Sequence, residues 1–443
     1  MKQVSSRIFL LLNIVIFVSI FLFARAVISI SAILIILMYL FNRGFSVEIF
    51  KRHKSLVFLF IAGLLINIGM IYVCIATNTF DAKGIFGFSN PLLILLYVCS
   101  IYYFLSENEK YKGYLINAFV TCVSLLASFG VIVFTYKVSQ GEGFIYTDIY
   151  YYFFGYSGRD IQSIVALTFP LTGVILVAKS IVSKSVRNKL FMLFLATLVI
   201  FADIFINRSK VGYVIELVVF IYYVCALCAY YKNSSKNTSI RHMLMIIVAG
   251  LLFVGLLFGF AYKQSSVFNT RIDKMFNETS LFFSGPDDEK NIEELSHSST
   301  GLRLMYYNST VKVFKTYPEL FLVGCPYMTS SSNPQACTAA LINSDFKLKN
   351  DPNVVKDGIM PHNEFMNYTY KGGAIAGICL FLFFMFLIYE AKFLDKDSKL
   401  FLRIFMVAYF IGCSFSYLMT LQMPVILAFS LISIFLPQAK AKT

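Results

Sequence analysis

Long, uninterrupted apolar runs are the feature that most restricts the folds open to this chain. A helix needs about 20 mostly apolar residues to cross the hydrocarbon layer of a membrane, and only helices or closed barrels can cross it. The runs are continuous rather than alternating, which favours helices over barrel strands. Of the 443 residues, 58% are hydrophobic and only 14% are charged. These proportions exclude a soluble globular enzyme and a disordered chain.

The pattern predicts an all-α polytopic membrane protein with about twelve membrane-spanning helices. The predicted spans are Ile8–Phe23, Ala26–Phe41, Leu56–Ala76, Pro91–Leu105, Tyr114–Tyr136, Ile161–Val177, Leu190–Ile206, Val211–Tyr231, Met243–Tyr262, Tyr368–Glu390, Leu400–Leu418 and Leu421–Leu436. The chain therefore divides into nine spans over residues 1–262, a polar segment over 263–367, and three further spans with a short tail over 368–443.

The basic residues predict the orientation of these spans. The chain has 38 Lys and Arg against 24 Asp and Glu, a formal net charge of +14. Twenty-one of the basic residues flank short loops on the side of the N-terminus, and six lie in short loops on the opposite side. Because Lys and Arg favour cytoplasmic loops, we expect both termini in the cytoplasm and residues 263–367 outside. The positive charge is then mainly a topology signal, and no nucleic-acid partner is expected.

The polar segment 263–367 is long enough to carry function. It contains a predicted amphipathic helix, because residues recur at helical spacing behind a Ser/Thr start. These residues are Leu302, Tyr306, Ser309, Val313 and Tyr317. Cys325 and Cys337 share the segment, where an oxidising compartment would permit a disulfide, but the sequence does not decide whether it forms. The four His residues lack ligand spacing, so no metal site or cofactor is expected.

Three polar motifs adjoin the predicted spans on the outer side. The first is the turn Asn207-Arg208-Ser209-Lys210, the second is Ser299-Thr300-Gly301-Leu302-Arg303, and the third is Met360-Pro361-His362-Asn363-Glu364. Arg159, between Gly158 and Asp160, is a further candidate. A solvated turn, a surface Arg and a His without a role would give the same three patterns. We expect the interiors of the spans to be almost free of charge, so that the candidates gather at one face.

Chemistry favours a functional interpretation of these motifs. The planar guanidinium of Arg matches phosphate oxygens, and a helix start tends to keep an imidazole neutral, as a general base requires. A turn at Thr300-Gly301 is expected to lead into the amphipathic helix, which puts Arg303 in its first turn. Glu364 would orient the imidazole of His362 or act as the base itself. Several Arg and a base at the outer leaflet suggest a phosphorylated lipid substrate.

These motifs resemble the O-antigen ligase/polymerase superfamily. Ser299-Thr300-Gly301-Leu302-Arg303, followed by Thr316-Tyr317-Pro318 and Leu322-Val323-Gly324, resembles its outer-loop signature. Pro361-His362-Asn363, with Gly373 further along, resembles its His-Asn motif, and Asn207-Arg208-Ser209 resembles its basic turn between two spans. The motif resemblance covers about residues 207–391. One departure is Ala376, which stands where ligases usually have a second Gly, and Gly377 follows it.

The resemblance implies a membrane-embedded, metal-independent and inverting glycosyltransferase of the bacterial inner membrane. Such an enzyme moves a glycan from undecaprenyl pyrophosphate to a sugar hydroxyl at the periplasmic face. Arg208 and Arg303 would hold the departing pyrophosphate and His362 would accept the acceptor proton. Arg159 and Lys210 would contact the substrate, and Asn363 and Glu364 would bind it or orient the catalytic groups.

Three functions are open, and the spacing from His362-Asn363 to Gly373 favours the first. The first is an O-antigen ligase in lipopolysaccharide biosynthesis, whose acceptor is lipid A–core. The second is an O-antigen or capsule polymerase that joins lipid-linked repeat units. The sequence does not decide whether the protein acts alone or beside a flippase and a chain-length regulator. The third is a polysaccharide flippase or transporter. Transporters place binding groups near the bilayer midplane, so the expected lack of charge inside the spans argues against the third.

Overall fold

The computed structural model describes residues 2–22, 24–43, 48–77, 87–88, 90–141, 159–207, 210–234, 255, 259, 262–263, 266–285, 291, 294–295, 299–316, 318–324, 363–415, 418–419 and 422–436. Over these residues every regular element is a helix. They are α1 (Lys2–Phe21), α2 (Arg25–Arg43), α3 (Glu48–Arg52), α4 (Lys54–Thr77), α5 (Pro91–Glu107), α6 (Lys110–Ser139), α7 (Arg159–Val182), α8 (Val186–Ala202), α9 (Lys210–Ser234), α10 (Ser266–Ser284), α11 (Ser299–Thr316), α12 (Pro318–Val323), α13 (Glu364–Glu390), α14 (Lys396–Phe415) and α15 (Gln422–Phe435). A π-helical turn, Asp203–Asn207, extends α8, and a 3-10 turn, Ala391–Phe393, follows α13.

Membrane-crossing helices dominate the described part of the chain. Seven helices are long and apolar enough to cross a membrane, and shorter apolar stretches lie in α1, α5, α9 and α15. The described part of the chain is therefore all-helical, and the molecule is a multi-pass membrane protein, as the apolar runs predict. The predicted span Met243–Tyr262 falls outside the described residues except at isolated positions, so the number twelve stays a prediction.

The shortest of these apolar helices, α15, forms the centre of the bundle. Every residue of α15 from Met423 to Phe435 is buried, which is the pattern of a helix that is apolar all round. The surrounding helices expose large apolar side chains instead, such as Ile68 on α4 and Leu125 and Ile132 on α6. Outward-facing apolar surface of this kind suits contact with lipid rather than water.

Helices α4 and α13 pack together, and buried hydrogen bonds join them at one end of the bundle. Glu390, at the end of α13, accepts hydrogen bonds from the backbone N and the Oγ of Ser55, at 3.0 and 2.8 Å. The Nδ1 atom of His53 lies 3.2 Å from the same carboxylate. The carboxylate therefore caps the start of α4, whose first N–H groups have no partner within the helix.

Buried acids correct one expectation from the sequence. The spans were expected to be almost free of charge in their interiors, yet the acids Asp203 and Glu216 lie within two neighbouring predicted spans, and Asp203 is buried. Glu364 and Glu390 are buried at the two ends of α13. A buried charge is costly in lipid, so each of these carboxyls requires hydrogen-bond donors, protonation or a functional reason.

Candidate functional site

Asn363 marks the start of α13, as the Pro361-His362-Asn363 motif predicts. Its side-chain Oδ1 accepts a hydrogen bond from the backbone N of Met366 at 3.1 Å, and its backbone is extended, so Asn363 is the N-cap residue. Asn is among the best N-cap residues because its short side chain reaches the unpaired N–H groups of the first turn. Residue 362, the predicted base, immediately precedes this cap in the sequence.

The carbonyl of Ser414 joins two of the predicted motifs. Ser414 lies in the last turn of α14, where backbone carbonyls have no acceptor role within the helix. Asn363 Nδ2 donates to this carbonyl at 2.9 Å, and Tyr307 Oη donates to it at 3.1 Å. One helix-end oxygen therefore binds both the start of α13 and the helix α11 from the polar segment. We call this arrangement the Ser414 junction.

Arg303 lies one helical turn before Tyr307 on α11. Residues four positions apart occupy the same face of a helix. Burial raises the pKa of Tyr307 to about 12, and the charge of Arg303 partly opposes that rise. The guanidinium is thus close enough to influence the hydroxyl that binds at the Ser414 junction. The structure brings Arg303 and Asn363 to the same end of α14.

The start of α11 differs from the expectation. Ser299 to Gly301 were expected to form a turn before the helix, with Arg303 in the first helical turn. The helix instead begins at Ser299, so Arg303 lies in its second turn. Gly301 is needed for close approach, because a Cβ there would lie 2.2 Å from the carbonyl oxygen of Leu295. The motif therefore permits tight packing at this helix start rather than a turn.

Two motif glycines meet in a joint between α12 and α13. Helix α13 is kinked at Gly372 and Gly373, and Gly373 has φ 77° and ψ 175°, a conformation open almost only to glycine. A Cβ on Gly373 would lie 2.1 Å from the carbonyl oxygen of Leu322, and a Cβ on Gly324 would lie 2.5 Å from the backbone N of Gly373. The end of α12 therefore fits into the break in α13, and we call this contact the glycine joint.

Glu364 is fully buried just inside the start of α13. Asn367 Nδ2 donates to its Oε2 at 2.9 Å, and Asn367 is fully buried as well. Tyr368 on α13 and Tyr409 and Cys413 on α14 lie within electrostatic range of the carboxyl. Because Glu364 is completely buried, orienting its neighbours is a better-suited role for it than direct contact with an incoming sugar.

A second polar cluster lies at the π-helical turn Asp203–Asn207, which precedes the predicted basic turn in the sequence. The π-helical turn ends at Asn207, whose Nδ2 donates to Asp203 Oδ1 at 2.8 Å, and both side chains are buried. Glu216 on α9 interacts electrostatically with Asp203. Ile272 of α10 packs against Ile204, in the π-helical turn, and Tyr213. A helix of the polar segment therefore contacts the π-helical turn. Short π-helical segments are often found at functional sites.

The predicted site residues are described to different extents. Arg303, Asn363 and Glu364 are placed with their side chains, and Asn363 and the helix of Arg303 meet at the Ser414 junction. Arg159 and Lys210 begin α7 and α9, but their side chains fall outside the described part. Arg208 and His362, like Cys325 and Cys337, lie outside the described residues. Over the residues that are described, no group of three His, Cys, Asp or Glu side chains has an arrangement able to hold a metal ion.

Several residues of the site were not expected from the sequence. No local sequence motif indicates the hydrogen bond between Tyr307 and the Ser414 carbonyl, because the two residues are 107 positions apart. Asp203 and Glu216 did carry a signal, since an acidic residue in an apolar span suggests function. They flank the basic turn on either side, and counting charges within spans would have identified them.

Comparison with known proteins adds no assignment: no family model matches the chain, and no curated protein matches it significantly.

Proposed function

We propose that this protein is an O-antigen ligase-type glycosyltransferase of the bacterial inner membrane. It moves a glycan from undecaprenyl pyrophosphate to a sugar hydroxyl of lipid A–core, with inversion and without a metal. In this proposal twelve helices span the membrane, both termini are cytoplasmic, and residues 263–367 form a periplasmic loop. The motif resemblance supports the proposal from the sequence side.

The observation that carries the proposal is the Ser414 junction. A transferase of this type needs a cation for the departing pyrophosphate close to a base for the acceptor hydroxyl. The helix that bears Arg303 and the cap residue that follows His362 in sequence bind the same carbonyl oxygen, at 3.1 and 2.9 Å. Two motifs that are 60 positions apart in the sequence numbering thereby converge.

The proposed mechanism uses electrostatic stabilisation and general base catalysis. Arg303 and Arg208 bind the pyrophosphate and stabilise the negative charge that grows on it as the sugar–phosphate bond breaks. His362 accepts the proton of the acceptor hydroxyl, whose oxygen attacks the anomeric carbon opposite the leaving group. Arg159 and Lys210 contact the donor. Energy comes from the sugar–pyrophosphate bond, so the reaction requires no nucleotide.

A transfer assay with the purified protein in lipid tests the proposal. Wild-type protein, given a lipid-linked glycan and lipid A–core, should form a new glycoside without ATP or added metal. Arg303→Ala should lower the rate by about 100- to 1,000-fold, the usual loss for one such contact. Arg303→Lys should restore only part of the rate, since an ammonium cannot make two parallel bonds to phosphate. Lys315→Ala, exposed in the last turn of α11, is the control and should match wild type.

His362→Ala tests the base directly. The variant should insert and fold normally, judged by expression and thermal unfolding, but form no product. Product formation near the wild-type rate would remove His362 from the mechanism while leaving the role of Arg303 to be judged by its own variants.

A polymerase is the second candidate, favoured by Ala376. Ligases usually have Gly at this position, and here Ala376 is fully buried next to the kink of α13. Deletion of the gene separates the two functions. Loss of a ligase leaves full-length glycan on the lipid carrier, whereas loss of a polymerase leaves single repeats on the core. The second pattern would replace the ligase assignment.

A flippase or transporter is the third candidate, and the buried acids favour it. Asp203 lies within a predicted span and is only 2% exposed, and intramembrane carboxyls often mark transport pathways. Movement of lipid-linked glycan across sealed vesicles without formation of a glycoside would support this function. Glycoside formation in detergent, where no compartments exist, would exclude it as the sole activity.

A further inference from the structure

The Ser414 carbonyl is an acceptor with two side-chain donors from separate segments. It lies at the end of α14, where the helix supplies no N–H partner for it. Tyr307 reaches it from α11, and Asn363 reaches it from the start of α13. Asn363 also uses its other side-chain atom, Oδ1, to cap α13. The orientation of the α13 start and the position of α11 therefore both depend on hydrogen bonds to this one oxygen atom.

We propose that Tyr307 is a positioning residue that holds Arg303 at the start of α13, through its hydrogen bond to the Ser414 carbonyl. Tyr307 and Arg303 share one face of α11, so fixing the hydroxyl fixes the guanidinium one turn away. The α11 helix belongs to the polar segment, and Tyr307 contributes a hydrogen bond that joins it to α14. The expected effect on pyrophosphate binding by Arg303 rests on the proposed function. The positioning of α11 by Tyr307 does not.

Burial keeps this hydroxyl a donor. The pKa of Tyr307 is raised to about 12, so the phenol stays protonated at neutral pH. Tyr307→Phe removes only the hydroxyl and keeps the ring. A hydrogen bond of this kind contributes a net effect equivalent to about fivefold in an equilibrium constant.

Two measurements test the inference on the full-length protein. Hydrogen exchange of amides over residues 303–312 should be about fivefold faster in Tyr307→Phe than in wild type, because local opening loses one anchoring bond. The dissociation constant for undecaprenyl pyrophosphate, used alone as the probe, should rise by about the same factor. Tyr103→Phe is the control, since Tyr103 Oη donates to the exposed Glu107 on its own helix. It should change neither measurement.

A double variant tests whether the two donors act through the same atom. Asn363→Ser keeps an N-cap residue but loses the amide donor. If Tyr307 and Asn363 share the carbonyl, the double variant removes both side-chain donors that the described residues supply to it. The loss of affinity for undecaprenyl pyrophosphate in the double variant should then exceed the product of the single losses. Losses that simply multiply would overturn the shared junction.

The outcomes separate this inference from the proposed function. Unchanged exchange over 303–312 in Tyr307→Phe would overturn the inference, whatever the transfer assay shows. Faster exchange with an unchanged dissociation constant would overturn the link to Arg303. Wild-type protein that binds the probe but forms no glycoside would contradict the proposed transfer reaction while leaving the positioning role supported.

Discussion

The glycine joint makes a sharp prediction for Gly373→Ala. At φ 77° and ψ 175°, a residue with a Cβ is strained by about 1–3 kcal/mol. The new Cβ would also lie 2.1 Å from the carbonyl oxygen of Leu322, and a backbone atom cannot move aside without shifting α12. We therefore expect α12 to be displaced from the break in α13, and we take the backbone strain of about 1–3 kcal/mol as the cost.

The size of the effect decides which assay to use. Unfolding entropy is about 2.1 cal/mol/K per residue, so 1–3 kcal/mol spread over a chain of this length lowers the unfolding temperature by only about 1–3 °C. Local opening of α12 carries the whole cost, which corresponds to about 5- to 150-fold faster hydrogen exchange. Exchange over residues 318–324 is therefore the better measurement. The thermal shift serves as a check that the rest of the bundle is intact.

A matched control separates the joint from the general effect of adding a methyl group. A Cβ on Gly113, in α6, meets no atom within 4 Å, so Gly113→Ala should leave the exchange over 318–324 unchanged and stabilise α6 by up to about 1 kcal/mol. Gly324→Ala alters the same joint from the other side, and its effect should not add to that of Gly373→Ala. Wild-type exchange over 318–324 in Gly373→Ala would refute the joint.

Two further predictions concern the polar contacts. Glu390→Ala leaves its buried donors on α4 without their acceptor, so it should lower the free energy of unfolding by about 1–3 kcal/mol for each donor left unpaired. Glu107→Ala, which removes an exposed contact, should lower it by less than about 1 kcal/mol. The chain has no Trp and nine Cys, several of them buried, so a thiol-reactive dye reports this unfolding, and equal melting of the two variants would contradict the capping role. For Tyr307, the folded pKa of about 12 exceeds the ordinary 10, so its stabilising bond is complete below about pH 10 and is lost as the pH rises towards 12. The ratio of wild-type to Tyr307→Phe affinity for undecaprenyl pyrophosphate should therefore stay constant between about pH 6 and about pH 9, and a ratio that falls within this range would contradict the assignment.

Local features of the chain were predictable from the sequence. The apolar runs predict helices because membrane crossing depends only on the length and composition of one segment. Asn363 was placed at a helix start because Pro361 prevents the helix from extending backward and an Asn cap binds a residue three positions on. The amphipathic pattern in the polar segment predicts α11, which the structure contains. Each of these conclusions needs only neighbouring residues.

The errors and omissions have a common physical cause. The expected turn at Thr300-Gly301 is wrong because Gly301 meets a close backbone neighbour, which the sequence does not reveal. The charged residues inside the spans were underestimated because hydropathy averages them into their apolar surroundings. Asp203, inside a span, and Glu364, at the start of α13, are tolerated because each has an Asn side chain that donates to it from within the same helix.

The sequence alone determined that this protein crosses the membrane as helices and that its cationic and imidazole candidates adjoin the ends of those helices. Tertiary structure decided which of the motifs meet. The Ser414 junction, the glycine joint and the bond between His53 and Glu390 join residues from about 50 to more than 330 positions apart. Such contacts depend on how complete helices pack, and helix packing is set by side chains along their whole lengths rather than by any one motif.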